Sequence, residues 1–392
     1  MLNPTTEPID LHGASLLLVD DIPANLDILC SVLEPEGYQL ALAGDGPLAL
    51  KIADRLVPDL VLLDVNMPGM DGFEVCRRLK QQPATQHVPV IFVTANDETQ
   101  HLVSGFEAGG GDYITKPFRQ EEVLMRVRNA LYTKYLFDRN QAYQHKMEEE
   151  LQTAHELQLG LMPTEQPQVP GFAIAGRCRS AAQVGGDFFQ YFEPSQGGLS
   201  LALGDVTGHA MSAAIPMILV MGMLHSQMEQ AAALHPLFPT LNRSVHQTLD
   251  KRTFACFAAA DLDPTTSSVT LTNAGYPYPY HFRVADQQVV ELAMHDAYPL
   301  GARLDSAYQS RRADLAPGDR LVFCSDGIFE AENEEGEMMD QERLVEAVEK
   351  GCRTDLSAPQ LVDHLLAYAR EYSGAKPQHD DQTVVVVRAG EE

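Results

Sequence analysis

Short apolar runs alternate with helical patterns through the first third of the chain. They are SLLLVD, NLDILCSVLEPEG, QLALAG, GPLALKIADRLVP, DLVLLDVN, FEVCRRLKQQ, VPVIFVTA, a helix around residue 100, and DYITKP. Strands alternating with helices predict an α/β unit, a doubly wound five-stranded parallel sheet covered on both faces. A stretch then follows, residues 119–163, with no Gly until Gly160 and no Pro until Pro163. Good helix formers dominate it, and a continuous helix here would be roughly 65 Å long. Val123, Leu124, Val127 and Leu131 form a stripe suited to packing on the sheet upstream. From Leu136 the spacing becomes 4-3, through Asn140, Tyr143, Met147, Glu150, Ala154, Leu157 and Leu161. That is a coiled-coil seam with polar insertions at Asn140 and Glu150. Two surface helices with a bend near Phe137–Asn140 are the alternative.

Beyond Pro163 the pattern changes again. FAIAGRC, DFFQYFE, LSLALGD, FACFAAADLD, SVTLTNAG, VVELAM, RLVFCSD and TVVVVR read as short strands, many of them antiparallel. Helices are expected at 210–230, 236–250, 340–350 and 358–373. Strands in series with helical blocks predict an α+β unit of stacked antiparallel sheets flanked by helices. The expected division is 14–131, a helical or coiled-coil linker at 132–163, and 164–392.

Composition narrows the function. The net charge of −27 argues against nucleic acid and anionic membranes, because phosphate binding needs clustered Lys and Arg. The six cysteines are scattered, with no CxxC pair and no zinc spacing, so they read as buried thiols in a reducing compartment. The N-terminus MLNPTTEPIDLHG lacks the layout of a signal peptide. The most apolar run, Ala213 to Leu224, is too short to span a bilayer and contains Pro216. A cytoplasmic protein is expected.

In doubly wound sheets the ligand site lies beyond the carboxyl ends of the strands. Asp20 and Asp21 end the first strand, Asp64 the third and Thr94 the fourth, while Lys116 follows the fifth. Converging carboxylates repel one another unless a hard cation such as Mg²⁺ neutralises them. One of them could then attack a phosphoryl group, with Lys116 stabilising the transferred charge and Thr94 binding it afterwards. Any single Asp at a strand end also serves as an N-cap or turn residue. The ordered set is harder to explain that way.

VDD at 19–21, LLDVNMPGMDG at 62–72, VTA at 93–95 and DYITKPF at 112–118 resemble the receiver domain of two-component response regulators. The resemblance implies that Asp64 is the phosphoacceptor and Asp21 the main Mg²⁺ ligand. Asp20 would assist through water, and the Asn66 carbonyl would complete the set. Tyr113 matches the aromatic residue that reorients with the Thr on activation, and Lys116–Pro117 is expected to be cis. A cognate histidine kinase or other phosphodonor is the implied partner.

Four acidic motifs stand where strands of the third region end: GGD at 185–187, GDVTGHA at 204–210, SDGIFE at 325–330 and HDDQT at 379–383. Each alone fits a plain Asp-Gly turn. Together they lack a Lys or Arg partner, and a pair of divalent metals roughly 3.5–4 Å apart explains them better.

This region resembles the PPM-type metal-dependent serine/threonine phosphatases of the SpoIIE and RsbU branch. The resemblance extends to LQLGLMP before the first strand, NAGYPYP at 273–279, YPLG at 298–301 and LAPGDRLVFCSDGIFEAENEEGE at 315–337. It implies two Mn²⁺ or Mg²⁺ ions. Asp205 would bridge them, the Val206 carbonyl would add a ligand, Asp326 and Asp380 would serve one ion and Asp187 the other. A bridging hydroxide would attack a phosphoserine or phosphothreonine without a covalent intermediate. Asp381 is a neighbour able to hydrogen-bond the ligands, and His209 lies near Asp205 without an assignable role.

Three positions depart from the branch. Gln190 replaces the second Asp of a GGDFYD-type motif, Ala210 the last Gly of DVxGHG, and Tyr276 the His of NAGHxP. The implied function is a response regulator whose output dephosphorylates a phosphorylated anti-sigma-factor antagonist, assembled as a homodimer through the linker. The alternative is a non-enzymatic adaptor of the RssB type, which shares the layout and binds a sigma factor for proteolysis. A DNA-binding output is disfavoured by the charge.

Overall fold

The computed structural model describes residues 11–95, 108–194, 197–229 and 231–390. The helix expected around residue 100 lies outside them. The chain divides into two compact units, Met1–Met147 and Glu148–Glu392.

In the first unit, β1 (Ser15–Val19), β2 (Gln39–Ala43), β3 (Leu60–Asp64), β4 (Val90–Thr94) and β5 (Asp112–Thr115) form one parallel sheet in the order β2-β1-β3-β4-β5. Every residue of β3 and β4 is buried, as the unbroken apolar runs LVLL and VIFV require of strands covered on both faces. Alternate side chains feed two cores. Leu17, Val61 and Phe92 pack with Ala49 and Val75 of α2 (Gly46–Leu56) and α3 (Gly72–Gln81). Leu16, Leu62 and Ile91 pack with Leu29 of α1 (Pro23–Leu33) and with Val123, Val127 and Leu131. Asp45 and Asp71 cap α2 and α3, accepting from Leu48 N and Glu74 N at 2.8 Å each.

The long stretch is a single helix, α4 (Gln120–Leu161), with no interruption near Phe137–Asn140. Its early stripe is in the first unit's core, as its spacing predicts. Leu136, Tyr143, Met147 and Leu157 of the expected seam are 45%, 58%, 64% and 68% exposed. Apolar side chains at heptad spacing are therefore left uncovered by this chain.

The second unit stacks two antiparallel five-stranded sheets. One runs β13 (Ser310–Asp314), β10 (Ser268–Ala274), β9 (Ala255–Asp263), β8 (Leu199–Val206), β7 (Asp187–Phe192). The other runs β12 (Gln288–Glu291), β11 (Tyr280–Arg283), β14 (Arg320–Cys324), β15 (Gln382–Ala389), β6 (Phe172–Arg179). The run VVVV of β15 serves two layers, because successive side chains point to opposite faces. Val385 and Val387 join Leu203, Phe257 and Phe323 in a core that also takes Met217 and Phe238 from α5 (Met211–Met228) and α6 (Phe238–Thr248). Val384 and Val386 join Leu344, Val348, Leu361 and Leu365 of α8 (Asp340–Arg353) and α9 (Ala358–Ser373). The four-residue α7 (Asp326–Phe329) follows β14.

Among the described residues, α5 alone has the length and composition of a membrane span, longer than the apolar run by itself suggests. Its Ala213, Met217, Val220, Met221 and Leu224 are nonetheless buried within the unit.

Leu203 is fully buried between the sheets. Leu203→Ala is expected to cost the second unit about 2–5 kcal/mol. In urea unfolding, probes in that unit should lose midpoint while probes in the first unit hold theirs. Equal shifts in both would show that the two units unfold together.

Candidate functional site

In the first unit the carboxyl ends of β1 and β3 meet where the strand order reverses. Asp20 follows β1 and Asp64 ends β3. Ligand atoms of Asp20, Asp21 and Asp64 lie within 4.8 Å of one another. Lys116 Nζ donates to Asp20 Oδ2 at 2.8 Å and to Asp64 Oδ1 at 2.7 Å, so one ammonium offsets two carboxylates. Asn25 Nδ2 donates to both oxygens of Asp20, which also accepts from Ile22 N. Burial pushes the Asp64 carboxyl above its usual range against the pull of Lys116. The same burial opposes the Lys116 ammonium, but its two carboxylate partners outweigh it and its pKa rises. Gly72 is required by close approach, since a Cβ there would lie 2.3 Å from the Asp64 carbonyl oxygen. Thr94 and Tyr113 are buried, and the Tyr113 ring centroid is 5.5 Å from that of Phe92. Asn66 is exposed, and the Lys116–Pro117 bond is cis.

In the second unit Asp187 and Asp205 face one another across the β7–β8 pair. Asp326 opens α7 just beyond β14, and Asp380 stands just before β15. Desolvation raises all four. Asp187 lies well above the usual range, with Asp205 the next cause. Asp205 is pushed up to about 7, by burial first and then by Asp326 and Asp380. Burial likewise raises Asp326 and Asp380. A cavity of about 610 Å³ opens beside Asp205 and Asp326. Tyr276, Phe329 and Glu330 help to line it, and none of its described lining residues is basic. The four aspartates are spread more widely than the first unit's trio. Among the described residues, no three of them bring ligand atoms within 4.8 Å of one another.

Asp381 has a larger part than that of a neighbour. Its carboxylate accepts from Ala181 N, Gly186 N and Asp187 N at 2.8, 2.7 and 3.3 Å. Its carbonyl accepts from Ser325 Oγ at 3.1 Å, tying three of the acidic motifs together. Thr383 Oγ1 donates to Asp187 Oδ2 at 2.7 Å. The glycines of these motifs leave no room for a side chain. A Cβ on Gly185 would lie 1.8 Å from Asp381 Oδ2, and one on Gly327 would lie 2.1 Å from the Asp381 carbonyl oxygen.

A family model described as Stage II sporulation protein E (SpoIIE) matches residues 195–390, half of the chain. The chain belongs to the SpoIIE family. A response regulator receiver domain model matches residues 16–128. Response regulator PleD of Caulobacter vibrioides is 46% identical over 126 residues, covering 32% of this chain and 28% of that protein. DNA-binding response regulator MtrA of Mycobacterium tuberculosis is 45% identical over 123 residues, covering 31% and 53%. The chain thus spans between about a quarter and a half of these curated relatives. The SiaA-PP2C domain of Pseudomonas aeruginosa shares the fold, with a TM-score of 0.54 at 20% identity, covering 63% of this chain and 98% of that one. The RsbU and RsbW domains of a Mycobacterium tuberculosis protein give a TM-score of 0.51 at 25% identity, covering 58% and 64%.

Within this SpoIIE-family unit the departures have structural uses. Gln190 is buried on β7 and its Nε2 donates to the Leu161 carbonyl at the end of α4. A carboxylate there would meet the negative end of a helix. Gln158 of the same helix exchanges two bonds with Gly185, donating to its carbonyl at 2.7 Å and accepting from its N–H at 3.1 Å. The end of α4 therefore holds both the approach to Asp187 and the middle of β7, contacts that no motif in the sequence announces. Ala210 takes φ 50° and ψ −135° before α5, a conformation suited to glycine. His209 is exposed, and its carbonyl accepts from Ser212 Oγ.

The donor set suits hard divalent cations, being carboxylates and backbone carbonyls. The Cys256 thiol beside Asp205 is pushed up to about 12 by burial, so it stays protonated. Repulsion among the aspartates with no basic partner in the cavity is what cation binding would relieve.

Two outcomes follow. Ala210→Gly is expected to stabilise the second unit by about 1 kcal/mol, read as a rise in thermal midpoint. A fall would show that the turn is unstrained. Asp205, raised when folded, stabilises the fold while protonated. That contribution is full below its unfolded value of about 4 and is lost as pH rises through about 7. Cation-free protein should therefore lose stability between about pH 4 and pH 7, and Asp205→Asn should flatten that slope. An equal slope in both proteins would sink the argument.

Proposed function

We propose that the chain is a response regulator in which phosphorylation of Asp64 controls a cation-dependent protein serine/threonine phosphatase. The observation that carries the reading is the set of four aspartates at the ends of β7, β8, β14 and β15, of which Asp205 and Asp326 line a cavity with no basic side chain among its described lining residues. In this reading Asp205 would be shared by two divalent cations, Asp326 and Asp380 would serve one and Asp187 the other, and the Val206 carbonyl would add a ligand. Bound Mn²⁺ or Mg²⁺ supplies charge neutralisation for a phosphate ester and lowers the pKa of a shared water.

The chain's own residues do the rest. Asp381 and Thr383 orient Asp187 through the bonds described. The cavity admits an extended phosphorylated segment, with Tyr276, Tyr278 and Phe329 as its apolar walls. In the receiver, a Mg²⁺ ion would sit among Asp20, Asp21 and the Asn66 carbonyl, leaving Lys116 to stabilise the transferred phosphoryl on Asp64. A histidine kinase or small phosphodonor would supply it.

Regulation follows the same reading. Receiver, linker and phosphatase occupy 14–131, 132–163 and 164–392. The uncovered apolar positions of α4 pair with a second copy as a parallel coiled coil, and Asn140 and Glu150 favour register over maximal stability. A shift in the receiver biases α4, whose Gln158 and Gln190 contacts adjust Asp187. A phosphorylated anti-sigma-factor antagonist in the cytoplasm is the proposed substrate.

The test adds Mn²⁺ to purified protein with a generic phosphate ester and with a phosphoserine antagonist. Turnover should appear with the cation and fall at least about a hundredfold in Asp205→Ala. Acetyl phosphate should change the rate in wild type and leave Asp64→Ala unmoved, while Gln158→Ala should narrow the change. Cation-independent or absent turnover, together with Asp64-dependent capture of a sigma factor, would replace this reading with the adaptor.

A further inference from the structure

Tyr276 stands where the family pattern has histidine, and its surroundings give its hydroxyl a task. The residue follows β10 in a turn held at both ends. Asn273 Nδ2 donates to the Tyr276 carbonyl at 2.6 Å, and Tyr276 N donates to Asn273 Oδ1 at 2.9 Å. Gly275, at φ +80°, bridges to Phe257. The next residue toward β9's start, Cys256, is the strand partner of Asp205. Register therefore sets the turn beside the carboxylate cluster.

The side chain is 3% exposed, and its hydroxyl has no hydrogen-bond partner among the described residues. Buried hydroxyls in native proteins are almost always paired, with protein groups or with ordered water. Phenylalanine would fill the same volume without that demand. Tyr276 lines the cavity together with Asp205 and Asp326, and after burial the groups that raise its phenol are Asp187, Cys324, Asp205 and Asp326. All raise it, so the group remains an O–H donor among acceptors.

We propose that Tyr276 is a positioning residue whose hydroxyl donates to a water molecule bound among Asp187, Asp205 and Asp326 when the cluster carries its divalent cations. The proposal rests on the cation-dependent reading of this site. A donor that fixes such a water completes the surroundings of the carboxylates without adding a charge.

The experiment compares full-length wild type and Tyr276→Phe by calorimetric titration with Mn²⁺ and by thermal unfolding without cations. Loss of the hydroxyl is expected to weaken Mn²⁺ binding about tenfold, the usual scale for removing a hydrogen-bonding group behind metal ligands. The cation-free midpoint should stay level or rise, because an unpaired buried polar atom has been removed. Affinity within about twofold of wild type overturns the inference while leaving the cation reading intact. A weaker affinity accompanied by a lower cation-free midpoint assigns the phenol to packing and overturns it as well. Wild type that binds no Mn²⁺ overturns the cation reading, and this inference with it.

Discussion

Carboxylates gathered at strand ends repel one another, and the two units answer that repulsion in different ways. In the first, Lys116 bridges Asp20 and Asp64 from within the chain. That arrangement is compensated within the chain as folded. In the second, no basic side chain lines the cavity among the described residues, and burial lifts Asp205 to about 7. In the proposed reading cations from outside would complete its electrostatics. A site of that kind would be conditional, since anything that altered the spacing of the four aspartates would alter its hold on them.

Spacing is what the end of α4 touches. Asp187 heads β7, and that strand is approached at Gly185 by Gln158 and at Gln190 by the Leu161 carbonyl. Asp187 also hangs from Asp381 and Thr383, which belong to the opposite sheet's β15 segment. Its strand segment is therefore tied to the helix, and its carboxylate to the second sheet. A small displacement at the helix end would be felt at Asp187 before Asp326 or Asp380, whose carboxylates accept from the backbone N–H of their own neighbours Gly327 and Asp381.

Most of the architecture was legible because burial imposes period. Continuous runs such as LVLL and VVVV marked strands covered on both faces, and the alternation of runs with helical patterns marked the parallel sheet. Acidic residues at strand ends were legible for the same reason, since topology places strand ends together. Two strands escaped. SRRAD of β13 is an exposed charged edge strand recruited by backbone pairing with β10, so no apolar alternation marks it. YHFR of β11 is four residues long and lies within a run of Tyr and Pro that reads as a turn. The role of Asp381 was equally hidden. Its oxygens go to backbone amides far along the chain, and such bonds leave no spacing in the sequence.

The three departures from the family pattern separate what this site can vary from what it cannot. Gln190, Ala210 and Tyr276 stand around the carboxylates, and each is accommodated. Gln190 finds a helix carbonyl, Ala210 takes up a strained turn, and Tyr276 fits an aromatic wall. Gly185, Gly186 and Gly327 admit no such exchange, because a Cβ on any of them would lie within 2.6 Å of an oxygen of Asp381 or Val206. Those oxygens come from the acidic motifs themselves. The glycines thus let four strand ends approach one another closely enough for their carboxylates to share a charge problem. That close approach is the harder condition to meet, and this chain keeps it intact.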